Sequence, residues 1–127
     1  MGICRSVVIV EDNVLIALDL ADHCEELGLH VMAVAHSAAQ ARERFAGLRP
    51  DAVLSDLELG AGPDGADAVR ELRAELPEIR VVFITAATRR ASLERMMALR
   101  PDAVLRKPVR RAELAEALGV TLLRPSR

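Results

Sequence analysis

The chain has 127 residues, 51% hydrophobic and 28% charged, with a formal net charge of −2. That size sets a single domain with its own core, and the composition excludes a disordered chain. No apolar run approaches the ~20 residues of a membrane span, no cleavage site follows the first apolar run, and two Phe with no Tyr or Trp leave no stacking platform for single-stranded nucleic acid.

The first residues, MGICRS, match a loose myristoylation pattern at Gly2 and Ser6, but they lead directly into a core strand. SVVIV (6–10) is that strand. Residues 13–27 follow with Val14, Leu15, Leu18, Ala21 and Leu27 at helical spacing, closed by Gly28 as a C-cap. HVMAVA (30–35) is a second strand, and Ser37 caps a helix over 38–48 that stops before Pro50. DAVLS (51–55) is the third strand, with a helix over 65–76 ending before Pro77. RVVFIT (80–85) and a helix over 88–99 come next, then DAVLR (102–106) and a last helix over 109–123. Short, β-branched, continuous apolar runs suit strands buried on both faces. Five β-α units in succession predict an α/β fold, a parallel sheet with helices on both faces.

In such sheets the site lies beyond the C-terminal ends of the strands. Glu11 and Asp12 follow the first strand, Asp56 the third, Thr85 the fourth (with Ala86 and Ala87 after it) and Lys107 the fifth. After the second come His36 and Ser37, read as loop and cap with no chemistry assigned. Each has an ordinary explanation on its own: a cap, a favourable charge at a helix N-terminus, a solvated lysine. Together they place three carboxylates on one sheet edge, where mutual repulsion is on the order of a few kcal/mol at an effective dielectric near 20. A hard divalent cation offsets that charge, and Mg²⁺ takes one or two carboxylates while keeping several waters. An ammonium offsets part of it too. Carboxylate, Mg²⁺, Lys and Thr hydroxyl together form a phosphoryl-transfer arrangement, with Asp as nucleophile. Lys107 is also the single lysine among seventeen basic residues. A compact ammonium fits a crowded site better than a guanidinium fork.

These positions, Glu11-Asp12, Asp56, Thr85-Ala86 and Lys107-Pro108, with Gly65 in the loop after Asp56, resemble the receiver domains of two-component response regulators. The resemblance covers about residues 5–122. It implies a flavodoxin-like fold with strand order 2-1-3-4-5, in one receiver domain over 1–127 with no output domain. It implies that Asp56 accepts a phosphoryl group from a histidine kinase or phosphotransfer protein. Asp12, Asp56 and the backbone carbonyl of Glu58 would hold Mg²⁺, Glu11 would act through a metal-bound water, and Thr85 and Lys107 would meet phosphoryl oxygens. The Lys107–Pro108 bond would be cis. The implied setting is cytoplasmic, with a downstream protein partner or a phosphate-sink role, and a monomer or weak dimer.

Three features depart from the family pattern. Val104 stands where the family has an aromatic, three residues before the lysine, and its short β-branched side chain cannot act as a rotamer switch. The loop LELGAGPDG is one residue longer than usual, with Gly60, Gly62 and Pro63, which makes it mobile or a shaper of the docking site. The resemblance implies that Glu58 and Ala87 would face the route of a hydrolytic water. A Mg²⁺-dependent aspartyl-phosphate phosphohydrolase and a non-phosphorylated pseudo-receiver stay as alternatives; DLE (56–58) follows the third strand, whereas dehalogenase-like phosphatases place such a motif after the first.

Cys4 and Cys24 fit no metal or redox spacing and read as small apolar thiols, and His23, His30 and His36 form no zinc pattern. Residues 89–111 hold eight basic residues against Glu94 and Asp102. That stretch reads as a solvated face or a dock for an acidic partner rather than for nucleic acid. Met96 and Met97 read as core filler.

Overall fold

A computed structural model describes residues 4–59, 64–86 and 89–120. Five strands alternate with five helices: β1 (Ser6–Val10), α1 (Val14–Glu26), β2 (His30–Ala35), α2 (Ala38–Arg44), β3 (Ala52–Asp56), α3 (Gly65–Glu75), β4 (Arg80–Thr85), α4 (Arg90–Ala98), β5 (Ala103–Arg106) and α5 (Arg111–Leu118). All neighbouring strands pair in parallel, in the expected order β2-β1-β3-β4-β5. The central strands β1, β3 and β4 are buried almost throughout, whereas β2 and β5 form half-buried edges. Apolar residues on both faces of the central strands build two cores. One holds Val8, Val53, Phe83 and Met96 under α2, α3 and α4; the other holds Ile9, Leu54, Ile84, Cys24 and Leu114 under α1 and α5. Burial pushes the Cys24 thiol up to about 12, so it packs as an apolar group. Among the described residues no helix is long and apolar enough to cross a membrane.

Capping residues set the helix starts. Asn13 accepts from Ile16 N–H, Ser37 from Gln40 N–H, and Asp64 from the N–H groups of Ala66 and Asp67. Caps of this kind contribute about 0.5–2 kcal/mol each.

Several boundaries differ from expectation. The buried stripe of α1 is Ala17, Leu20 and Cys24, flanked by half-buried Ile16, Ala21 and Leu27. Val14, Leu15 and Leu18 point outward at 54, 76 and 57% exposure, so the stripe is rotated from the one read in sequence. Helix α2 ends at Arg44 because Phe45 turns into the core and Gly47 adopts φ +78. Helix α5 ends at Leu118, not 123: Gly119 enters the left-handed region at φ +70, and Val120 N–H reaches back to Ala115 O. The expectations for Gly2, Gly60, Gly62, Pro63, Ala87 and residues 121–123 lie outside the described residues. Met96 is core, as expected, but Met97 is 57% exposed.

Candidate functional site

Parallel pairing delivers the ends of β1, β3, β4 and β5 to one edge of the sheet, so the side chains at and just past those ends converge. Glu11, Asp12 and Asp56 each offer an oxygen, and these lie within 4.8 Å of one another. Glu11 is fully buried, Asp56 is buried and Asp12 is exposed. Lys107 Nζ sits between two of them, 2.8 Å from Glu11 Oε1 and 3.0 Å from Asp56 Oδ2. Thr85 is buried at the end of β4, and its carbonyl accepts from Lys107 N–H at 3.1 Å. The Lys107–Pro108 bond is cis, as the resemblance implies.

The electrostatics follow from this crowding. Burial raises the Glu11 carboxyl above its ordinary value; contacts from Lys107 and Asn13 N–H work the other way, and nearby Asp56 adds to the rise. Burial works against the Lys107 ammonium, but the Glu11 and Asp56 carboxylates outweigh it and hold its pKa above the usual lysine value. Glu11 Oε2 accepts from Asn13 N–H at 3.0 Å. Oε1 is buried and faces the Lys107 ammonium at 2.8 Å. With three hard oxygen donors around it, the pocket suits a hard cation such as Mg²⁺. Glu11, Asp12 and Asp56 are the carboxylates that would face it.

The backbone around Asp56 is tightly fitted. Gly65, the first residue of α3, approaches the end of β3 so closely that a Cβ there would lie 1.8 Å from Asp56 O and 2.7 Å from Ser55 Oγ. Gly65 N–H donates to Leu57 O at 2.8 Å, and Ser55 Oγ donates to Asp56 O at 2.9 Å. Glu58 N–H approaches Asp56 Oδ1 at 3.4 Å, and the Glu58 side chain accepts from Ser92 Oγ on α4 at 3.3 Å. Val104 is half-buried and packs against the α2–α3–α4 core.

The structure therefore brings together the acidic pair, Asp56 and Lys107, with Thr85 at the adjoining strand end. It also brings in His36, to which no chemistry was assigned: Nδ1 lies 2.8 Å from the carbonyl of Glu11. The position of His36 directly after a strand was the available signal. Of the basic residues in 89–111, Arg95 pairs with Asp64, Lys107 with Glu11 and Asp56, Arg110 with Glu113 and Arg111 with Glu26, so much of that charge is compensated within the chain.

The chain is 40% identical over 81 residues to the phyllosphere-induced regulator PhyR of Methylorubrum extorquens, covering 63% of this chain and 30% of that protein. It is 32% identical over 120 residues to the transcriptional regulatory protein PdtaR of Mycobacterium tuberculosis, covering 94% of this chain and 58% of that protein. The chain thus spans about a third to somewhat over half the length of these relatives. Among solved structures, the signal receiver domain of a modulated diguanylate cyclase from Desulfovibrio desulfuricans superposes with a TM-score of 0.85 at 30% identity, covering 91% of each chain. The response regulator receiver domain family model matches residues 7–119, from β1 to the end of α5, and the chain belongs to that family.

Proposed function

We propose that this chain is a phosphorylation-activated signalling switch in which Asp56 accepts a phosphoryl group from a histidine kinase or phosphotransfer protein. The observation that carries the reading is the Lys107 ammonium held between Glu11 and Asp56 inside the acidic cluster. An Asp56 carboxylate oxygen attacks the phosphorus of a phosphohistidine, the P–N bond breaks, and the imidazole leaves with that electron pair. The product is an acyl phosphate on Asp56. Lys107 holds a fixed positive charge beside the reacting carboxylate, and Thr85 supplies a hydroxyl at the adjoining strand end. Asp12, Asp56 and the Glu58 carbonyl would hold Mg²⁺, with Glu11 acting through water. When bound, Mg²⁺ supplies Lewis-acid neutralisation of the phosphoryl oxygens. The new charge on Asp56 alters the affinity for a downstream protein or drains phosphoryl groups from a relay, so the domain works as a switch rather than a turnover enzyme.

Intact-mass measurement after incubation with acetyl phosphate and Mg²⁺ tests this. The expected result is one phosphoryl group on the wild type and none on Asp56→Asn. Steady release of phosphate from a phosphomonoester would favour the phosphohydrolase, and an unchanged mass would favour the pseudo-receiver.

A further inference from the structure

We propose that His36 is a positioning residue for the acidic cluster, acting through the main-chain carbonyl of Glu11. The proposal rests on the reading of Glu11, Asp12 and Asp56 as a divalent-cation site.

Glu11 is the residue at which β1 leaves the sheet. Its N–H makes a last inter-strand bond to Ala35 O, at 2.9 Å. Its carbonyl, beyond the end of β1, meets His36 Nδ1 at 2.8 Å. A carbonyl oxygen only accepts, so Nδ1 carries the proton. That C=O belongs to the same planar unit as the N–H of Asp12. Holding it fixes the plane from which the Asp12 chain departs, and so the direction in which the Asp12 carboxylate is offered. Asp12 is exposed, so packing does not set its place; its backbone does.

His36 is itself held. Its N–H donates to Gln40 Oε1 at 2.8 Å, and Gln40 N–H donates to Ser37 Oγ at 3.0 Å, which ties the segment to the first turn of α2. A chain of hydrogen bonds thus runs from Gln40 through His36 to Glu11. It links the N-terminus of α2, which offers no carboxylate to the cluster, to the geometry of the acidic pair. Groups that orient metal ligands without touching the metal change affinity by about 10–100-fold when removed.

Calorimetric titration of the full chain with Mg²⁺ tests this, using wild type, His36→Leu, His36→Asn and Gln40→Ala. Leu keeps bulk without a donor; Asn places an amide N–H close to the former Nδ1. The expected results are about tenfold weaker Mg²⁺ binding by His36→Leu, recovery of most of that loss by His36→Asn, and a smaller loss in Gln40→Ala, with Mg²⁺-free melting temperatures close to wild type. Wild-type affinity in His36→Leu, or equal losses in the Leu and Asn variants, would overturn the proposal while leaving the cluster reading intact. If His36→Leu fails to fold, Gln40→Ala decides by the same criterion: weakened binding supports the proposal and unchanged binding overturns it. A wild-type chain that does not bind Mg²⁺ removes the cluster reading, and the proposal falls with it.

Discussion

Lys107 Nζ lies 3.0 Å from Asp56 Oδ2, joining the end of β5 to the end of β3 across β4. The same ammonium reaches Glu11, just past the end of β1, so one point charge serves two carboxylates in a pocket where its own side chain is only 18% exposed. A planar guanidinium is larger and presents its donors as a rigid fork. Lys107→Arg is therefore expected to keep the net charge but lose the phosphorylation-dependent response. Partner capture before and after acetyl phosphate treatment measures this. A response equal to wild type would contradict the role assigned to the lone lysine.

Glu11 carries a cost in the free protein. Its folded pKa lies above the ordinary 4.5, mainly through burial. Below that ordinary value both the folded and unfolded chains hold the proton, and the group is neutral for stability. As pH rises through the folded pKa, ionising Glu11 costs the fold more than it costs the unfolded chain, so stability is lost. Glu11→Gln is thus expected to raise the melting temperature at pH 7 without Mg²⁺, with no gain at pH 4, and to weaken Mg²⁺ binding. Melting curves at the two pH values check the sign.

Gly65 is a matter of space. The close approach of its Cα to Asp56 O leaves no room for a methyl group. Gly65→Ala must push the start of α3 away from β3, at a cost of about 3 kcal/mol, the upper end of the usual range for a single substitution. Urea unfolding measures the loss. Phosphoryl uptake at Asp56 is expected to fall as well, since the displaced atoms belong to its own main chain.

Helix α4 is lightly held: only Ser92 and Met96 are buried among its nine residues. Ser92 Oγ donates to Glu58, and Arg95 pairs with Asp64, the N-cap of α3. With Val104 in place of an aromatic, these polar links are the route we propose for a change at Asp56 to reach α4. Ser92→Ala is expected to speed amide exchange across Arg90–Ala98 and to reduce the change in that exchange on phosphorylation. Equal protection in the two proteins would remove Ser92 from the route.

Much of this fold was legible because strand ends and chemistry coincide. SVVIV and RVVFIT are continuous β-branched runs, and their bounds hold to the residue. The acidic pair, Asp56 and Lys107 could be placed because parallel topology sends each strand end to the same edge. What the sequence did not reveal depended on rotation or on main-chain contact. Two apolar stripes compete on α1, and only the sheet selects Ala17, Leu20 and Cys24 over Val14, Leu15 and Leu18. Gly119 ends α5 through its left-handed backbone even though TLL beyond it continues the apolar pattern. His36 meets a carbonyl, a group every residue carries, so no side-chain motif marks its target.

In the proposed switch, Asp56 itself carries the phosphoryl group. Borohydride reduces an acyl phosphate at an aspartate to homoserine, which marks the site covalently. After treatment with acetyl phosphate and Mg²⁺, then borohydride, peptide mass mapping is predicted to place homoserine at position 56 and at no other aspartate. Homoserine elsewhere, or none in a folded protein that binds Mg²⁺, would contradict the account.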